Sequence, residues 1–271
     1  MIGILIIAHG TLGESLIHCA AHVLNKRPGR VQQLGVTAQD DPLLLLPQAR
    51  RMVKEVDQGH GVLIMTKRNG TAAQRPDFAA IAGWIRVSSS VLDLGCGDGT
   101  LLRYLKDTRH VTGYGVEIAD AGVLGCVKNG VNVIQSDLER GLSDFENDSF
   151  DYVVLSQTLQ AMRNSEIVIR EMLRVGREGI VTFPNFGYWK NRLEVLRGRM
   201  PVSDNLPYQW FDTPNVRLCT VDDFEVFCHA RGIRILERKL LTQGREVNTA
   251  PNLLGALAVY RFGTGSHWKA A

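Results

Sequence analysis

Hydrophobic and polar positions alternate along this chain in two separate series, each of which predicts strands and helices in turn. In the first 66 residues, short apolar runs typical of strands are separated by amphipathic stretches with the period of a helix. The predicted order is strand 2–7, helix 13–24, strand 31–36, helix 42–56 and strand 61–66. A β-α-β-α-β unit of this kind places three parallel strands side by side and amounts to about half of a doubly wound domain. We therefore predict that residues 1–66 form a partial, flavodoxin-like α/β unit.

A short polar stretch, residues 67–74, separates the two series and has the composition of a linker. The second series predicts helices at 76–85, 99–106, 121–128, 166–173 and 221–230, and strands at 91–94, 111–116, 131–134, 152–155, 179–183, 233–241 and 253–260. The last two strands are joined without a helical period, so we expect them to pair antiparallel at the sheet edge. Residues 75–263 are thus predicted to form a mostly parallel, seven-stranded Rossmann-like sheet, followed by a tail at 264–271.

Charge and composition narrow the classes of partner. The formal net charge is only +3 with 22% charged residues, and no long block of like charges is present, so nucleic acid is not an expected partner. Uninterrupted apolar runs such as 4–8 and 43–46 are far shorter than the roughly 20 residues that span a bilayer, so membrane insertion is not expected. Five cysteines without a CxxC pair favour reduced thiols, and we expect a cytoplasmic protein.

The sharpest motif is a buried strand that runs directly into a glycine-rich turn opening a helix, Val91-Leu92-Asp93-Leu94-Gly95-Cys96-Gly97-Asp98-Gly99. Glycines let the backbone pass close to a ligand, and the first turn of the helix offers unpaired N–H donors. Dinucleotide-binding folds use nearly the same turn, so the residues that follow must decide the ligand.

Carboxylates beyond the turn favour a sulfonium cofactor over a diphosphate one. Glu117 closes the second strand about 20 residues beyond the turn, where it can accept hydrogen bonds from ribose hydroxyls, but NAD sites share this acid, so Asp98 and Asp137 decide the choice. Asp98 lies inside the turn and would repel a pyrophosphate. Asp137 supplies a carboxylate for an adenine amine, and Asp93 would face a cationic methionyl group. Each acid alone could simply cap a helix or turn, but the ordered set predicts S-adenosylmethionine (AdoMet). The predicted cofactor-binding residues are Asp93, Gly95, Gly97, Asp98, Gly99, Glu117, Asp137, Leu138 and Ser156.

Further motifs in the second region resemble the MetW family of the class I methyltransferase superfamily. They are Arg75-Pro76-Asp77-Phe78, Ser156-Gln157-Thr158-Leu159-Gln160, Phe183-Pro184-Asn185-Phe186-Gly187, Trp210-Phe211-Asp212-Thr213-Pro214-Asn215, Leu218-Cys219-Thr220 and Asn252-Leu253-Leu254-Gly255. The resemblance implies a bacterial protein of methionine biosynthesis that works with a homoserine O-acyltransferase (MetX). It leaves open whether a methyl group is transferred, so an AdoMet-dependent small-molecule methyltransferase stays an alternative.

No catalytic residue and no metal site is predicted. The fourth strand ends in Ser156-Gln157-Thr158, which lacks the Asp/Asn-Pro-Pro-Tyr pattern of amine methyltransferases, and no cysteine or paired carboxylate stands out as a base. His18 and His22 lie four apart on a predicted helix, but without a third ligand they are expected to occupy a plain helix face. Residues 184–219 are rich in aromatic and basic side chains. They form either a lid or partner surface or the packing of the domain's own edge.

The first unit resembles the start of the mannose-type IIA domain of the sugar phosphotransferase system (PTS). The resemblance rests on residues 2–10, which end in Ala8-His9-Gly10, and on residues 12–14 and 61–66. It implies that His9 is phosphorylated, a chemistry that nearby backbone N–H donors would support. The family expects an aspartate and a glycine-rich loop after the third strand, whereas this chain reads Lys67-Arg68-Asn69-Gly70. We therefore favour a fragment without phosphotransfer and keep a PTS phosphocarrier acting through His9 as an alternative.

Overall fold

The computed structural model describes residues 3–9, 14, 17–18, 21–22, 26, 28–36, 42–57, 62–66, 75–203 and 205–265. The chain divides into two compact units, Met1–Gly70 and Thr71–Ala271. Within the described residues, no helix is long and apolar enough to cross a membrane.

The first unit contains a three-stranded parallel sheet within its described residues. Its elements are strand β1 (Gly3–His9), strand β2 (Val31–Val36), helix α1 (Pro42–Val56) and strand β3 (Val62–Thr66). Strand β1 lies in the centre, between β2 and β3. Most of the helix predicted at 13–24 lies outside the described residues, although those described within it are helical. The three strands agree with the prediction, and the likeness to a flavodoxin-like fold stays a prediction.

The second unit carries the larger sheet. Its helices are α2 (Pro76–Trp84), α3 (Thr100–Arg109), α4 (Asp120–Lys128), α5 (Ser165–Val175), α6 (Trp189–Leu196), α7 (Val221–Ala230) and α8 (Pro251–Leu254). Its strands are β4 (Ser90–Leu94), β5 (Thr112–Glu117), β6 (Val133–Gln135), β7 (Phe150–Ser156), β8 (Gly176–Pro184), β9 (Ile233–Thr242), β10 (Arg245–Glu246) and β11 (Leu257–Thr264). Short 3-10 helices occupy Leu138–Arg140 and Leu159–Ala161. The strand order is β10-β9-β11-β8-β7-β4-β5-β6.

The Rossmann-like, mostly parallel sheet is confirmed, with corrections to its far edge. Strands β4 to β8 pair in parallel, and β11 pairs antiparallel with both β8 and β9. The described part of the sheet has eight strands rather than seven, because a tight turn at Gln243 and Gly244, both at positive φ, folds the two-residue β10 back onto β9. The strand predicted at 253–260 is displaced to Leu257–Thr264, one residue into the predicted tail, because Pro251 at a helix start initiates α8 instead.

The central strands are buried on both faces. Along β4, Val91 packs in one apolar cluster and Leu92 in the other, and Tyr152 and Val153 divide in the same way along β7. A parallel strand covered on both faces reads as a continuous apolar run, as these two do. The strands β5 and β6 extend the sheet on one side of β4, and β7 extends it on the other, so the order of the strands reverses at β4 and a crevice is expected above its carboxyl end. Ligands bind at this position in open α/β sheets.

Candidate functional site

The glycine turn between β4 and α3 depends on left-handed backbone conformations. Gly95, Gly97 and Gly99 have φ values of 64°, 56° and 75°, a region that residues with a Cβ rarely adopt. A Cβ at position 95 would lie 2.6 Å from Cγ2 of Thr158. The turn therefore requires glycine both for its conformation and, at Gly95, for the space beside the loop that follows β7.

Helix α4 approaches this turn through two further glycines that were not predicted as site residues. A Cβ on Gly122 would lie 2.7 Å from Cγ of Glu117, and one on Gly125 would lie 2.7 Å from Cβ of Asp98. Their i, i+3 spacing on a helix that follows the second strand is the signal that could have identified them. They hold α4 close to two of the predicted cofactor ligands.

Glu117 forms the last residue of β5 and closes one side of the crevice. Its Oε2 accepts a hydrogen bond from the backbone N–H of Gly97 at 2.8 Å. Its Oε1 accepts from the N–H groups of Ile118 at 2.9 Å and Ala119 at 2.8 Å. A carboxylate offers about four acceptor positions, so these three bonds fix its orientation and leave capacity for a hydroxyl. Its proposed role at a ribose stays a prediction.

Two of the three remaining acidic candidates, Asp98 and Asp137, act as local caps in this structure. Asp98 Oδ1 accepts from the backbone N–H and the hydroxyl of Thr100 at the start of α3. Asp137 accepts from the N–H of Glu139 at 3.0 Å and so begins the 3-10 helix that contains Leu138, a buried core residue. This is the capping interpretation that the sequence left open, and their contacts to a cofactor stay predictions.

Asp93 is the most unusual carboxylate in the site. It is 2% exposed, and its Oδ2 has no hydrogen-bond partner among the described residues. Burial raises the pKa of this group to about 7, while the positive charge of Arg75 lowers it and the negative charge of Glu117 raises it further. A buried carboxylate without a partner costs several kcal/mol in isolation, on the order of 2–7 kcal/mol for a neutral polar group and more for a charge. Groups perturbed in this way cluster at functional sites.

Beside Asp93 lies a polar network of which only Ser156 was predicted as a site residue. Asp77, at the start of α2, is buried and accepts two hydrogen bonds from Arg75, at 3.2 Å from Nε and 2.5 Å from Nη2. Ser156, the last residue of β7, donates to Asp77 at 3.2 Å and accepts from Arg75 at 3.1 Å. Two further groups complete the network. The side-chain amide of Gln157 donates to Asp77 at 3.4 Å, and the hydroxyl groups of Thr182 and Ser156 lie 3.4 Å apart. The Arg-Pro-Asp sequence at the start of a predicted helix is the signal that could have identified Arg75 and Asp77 as site residues.

The thiols near the turn do not provide a nucleophile. The Sγ atoms of Cys96 and Cys126 lie 3.5 Å apart beneath the turn and are free thiols. Burial raises the pKa of both thiols, and that of Cys96 well above its usual range, which disfavours the reactive thiolate. Within the described residues, no group of three or more His, Cys, Asp or Glu side chains is arranged to hold a metal ion. Catalytic residues therefore stay unassigned.

Comparison with known proteins decides the family. The family described as "Methionine biosynthesis protein MetW" matches residues 75–262. The chain belongs to the MetW family. A relative from Rhodopirellula baltica, described as "Bifunctional methionine biosynthesis protein MetXA/MetW", is 38% identical over 200 residues, which cover 69% of this chain and 32% of that protein. The chain thus spans about a third of the length of that relative.

Several solved structures similar to this chain are methyltransferases, and at their low identity they support the fold alone. An S-adenosylmethionine-dependent methyltransferase from Mesorhizobium loti has a TM-score of 0.53 and 14% identity over 70% of this chain and 98% of that one. A possible histamine N-methyltransferase from Thermotoga maritima has a TM-score of 0.52 and 17% identity over 70% of this chain and 88% of that one. The class I methyltransferase architecture of the MetW region is therefore confirmed.

The MetW region exposes an unusual concentration of apolar side chains between Trp189 and Leu218. Trp210 is 73% exposed and Phe211 is 71% exposed, although the two rings contact each other edge to face. The other exposed apolar residues of this segment are Trp189, Leu193, Val195, Leu196, Met200, Val202, Tyr208, Val216 and Leu218. Of the predicted alternatives, packing of the domain's own edge fits the buried Tyr188 and Leu206 and the half-buried Phe186, whereas an interaction surface fits the exposed residues. An exposed apolar patch of this kind is typical of interaction sites.

The match to the MetW family begins at residue 75, after the first unit. His9 is the last residue of β1 and pairs with Val36 in register, and its side chain lies outside the described residues. The resemblance of this unit to a PTS IIA domain, and phosphorylation of His9, stay predictions.

Proposed function

We propose that this MetW-family chain binds AdoMet at the carboxyl edge of its sheet and acts together with a homoserine O-acyltransferase in methionine biosynthesis. The cofactor proposal rests on the buried Asp93 carboxylate. Its Oδ2 has no hydrogen-bond partner among the described residues, and the residue lies beside the glycine turn. An unpaired buried anion of this kind fits a cationic ligand, because a nearby positive charge offsets its desolvation.

The charge of the crevice favours AdoMet over a dinucleotide. Four carboxylates border or cap segments of this edge: Asp93, Asp98, Glu117 and Asp137. One of them, Asp98, lies within the turn itself. A diphosphate placed on the turn would meet that carboxylate, whereas a sulfonium and an ammonium group would be attracted. AdoMet supplies an activated methyl group when bound. The residues of this chain would orient the ribose through Glu117 and the methionyl end through Asp93.

The partner proposal rests on two independent observations. The Rhodopirellula baltica relative combines MetXA and MetW in one name and is about three times as long as the matched region. The exposed segment between Trp189 and Leu218 offers Trp, Tyr, Phe and Arg side chains, the residue types enriched at the centres of protein interfaces. We infer that this segment contacts the acyltransferase.

The cofactor is tested by calorimetric titration of AdoMet into the full chain and into a Glu117→Ala variant. We expect binding that the variant weakens about 10- to 100-fold, as for loss of a hydrogen bond to a charged group. Asp107→Ala, which removes a carboxylate from the exposed face of α3, is the matched control and should bind like the unchanged protein. Absence of binding by the unchanged protein would refute the cofactor proposal.

The partner is tested with a purified homoserine O-acyltransferase. We expect acyl transfer to increase when the chain is added, and the increase to be lost when Trp210 and Phe211 are both changed to Ser. Tyr114→Ser removes an aromatic side chain that is also exposed but lies on β5, so this control should retain the increase. Equal activity with and without the chain would contradict the proposal.

A methyltransferase remains a second candidate because of one cavity. A cavity of about 470 Å³ opens beside the segments that follow β7 and β8, lined by Leu159, Phe183, Phe224 and Arg217 among others. Its position and apolar lining would suit a small acceptor. Transfer of labelled methyl from AdoMet to a metabolite extract, lost in the Glu117→Ala variant, is the result expected of this alternative.

A further inference from the structure

Asp77 and Arg75 form a rigid ion pair inside the candidate site. Burial of a carboxylate is costly unless it is paired, and Asp77 accepts two hydrogen bonds from Arg75 and a third from Ser156. A bidentate guanidinium–carboxylate pair fixes direction as well as distance. Arg75 is therefore held in one orientation, unlike an arginine in an ordinary surface pair.

The guanidinium of Arg75 is only partly used by these bonds. Nε and Nη2 point to Asp77 and Ser156, and the ring of Phe78 lies 4.2 Å below Cζ. Nη1 makes no hydrogen bond to any described residue, and the side chain is 42% exposed. An arginine carries five N–H donors, so two donors face outward from a group that is already immobilised.

Arg75 lies at the same carboxyl end of the sheet as Asp93. Ser156 ends β7, the neighbour of β4, and Asp93 lies opposite Val154 in that pairing. The charge of Arg75 lowers the pKa of Asp93 against the effect of burial, which places the two groups within electrostatic reach. The crevice thus presents a fixed cation and a buried anion whose Oδ2 has no partner among the described residues. A ligand that carries both a positive group and a carboxylate would complement the two.

We propose that Arg75, oriented by Asp77, forms a carboxylate subsite that binds the α-carboxylate at the methionyl end of the cofactor. This subsite rests on the proposed AdoMet function and extends it to the element before β4. Asp93 then faces the positive groups of the same methionyl moiety. Arg75 is a binding residue, and Asp77 and Ser156 are positioning residues that act through it.

The test compares AdoMet with decarboxylated AdoMet, which keeps the sulfonium and the amine but lacks the carboxylate. Both are titrated by calorimetry into the full chain and into Arg75→Met and Arg75→Lys variants. Arg86→Met is the matched control, because Arg86 also pairs with an aspartate, Asp151, and also lies over an aromatic ring, but at the opposite end of the strands. Thermal unfolding of each variant verifies that it is folded.

We expect the unchanged protein to prefer AdoMet over the decarboxylated form by about 10- to 100-fold, the range of a charged hydrogen bond. Arg75→Met should abolish this preference by weakening AdoMet alone, Arg75→Lys should retain part of it, and Arg86→Met should retain all of it. If Arg75→Met weakens both ligands equally, or leaves the preference intact, the carboxylate subsite is overturned while the cofactor proposal stands. If the unchanged protein binds neither ligand, the cofactor proposal fails and the subsite fails with it.

Discussion

The free energy of unfolding of an Asp93→Asn variant, relative to that of the unchanged protein, should increase as the pH rises. Burial raises the pKa of Asp93 from 3.8 to about 7, so between these values the folded state holds a proton that the unfolded state has lost. For such a group the stabilising contribution is fully present below about pH 4 and is lost as the pH rises through about 7. A pKa higher by about 3 corresponds to about 4 kcal/mol, because each tenfold change in the protonation equilibrium is worth about 1.36 kcal/mol.

About 2–3 kcal/mol of this penalty develops between about pH 5 and pH 8. Chemical denaturation at these two values should therefore show that the free energy of unfolding of Asp93→Asn, relative to the unchanged protein, rises by that amount. The comparison across pH removes the separate cost of an unsatisfied amide, which is the same at both values. Asp107→Asn removes an exposed carboxylate on α3 and controls for the loss of a charge alone. A difference that does not change with pH would refute the burial argument.

The same variant should weaken AdoMet binding while it stabilises the fold, because the charge that destabilises the empty crevice is the charge proposed to attract the cofactor. Calorimetry at about pH 8, where Asp93 is ionised in the unchanged protein, measures this directly. Tighter binding by Asp93→Asn would contradict the proposed role of the carboxylate. Opposite effects on stability and binding are typical of functional sites.

Three further substitutions test the architecture around the site. Gly95→Ala should abolish cofactor binding and lower the midpoint of thermal unfolding, because its Cβ would lie 2.6 Å from Thr158 and the residue has a positive φ. Calorimetry measures the binding and a melting curve measures the midpoint. Normal binding would contradict the close approach. Asn185→Leu should destabilise the fold by about 2–4 kcal/mol in denaturation experiments, since the buried amide donates to Asn252 and Gly255 and accepts from Gly187. Thr220→Ala, which removes the capping box at the start of α7, should cost only about 0.5–2 kcal/mol by the same measurement; a larger loss than for Asn185→Leu would be inconsistent with these contacts.

The positions of helices α2 to α5 and α7 and of the parallel strands could be predicted because each is encoded by a local pattern. A buried parallel strand is a continuous apolar run, and the amphipathic helices keep the 3.6-residue period. The prediction failed where local signals compete. At 251–260, Pro251 starts a helix within an otherwise apolar stretch. At 189–196 a helix forms although its apolar residues Trp189, Leu193, Val195 and Leu196 are exposed and its buried residue is Asn191.

By itself the sequence determined the glycine turn and the acid at the end of β5, because close backbone approach and strand-to-helix geometry restrict which residues can occupy those positions. Only the tertiary structure decided which carboxylate is distinctive. Asp93, Asp98 and Asp137 are chemically identical in the sequence, yet two are satisfied by nearby backbone N–H groups and one is buried with an unpaired oxygen. The network that joins Arg75 and Asp77 to Ser156 likewise spans about 80 residues of chain. Burial and long-range pairing depend on how strands far apart in the chain are brought together, and no local pattern encodes them.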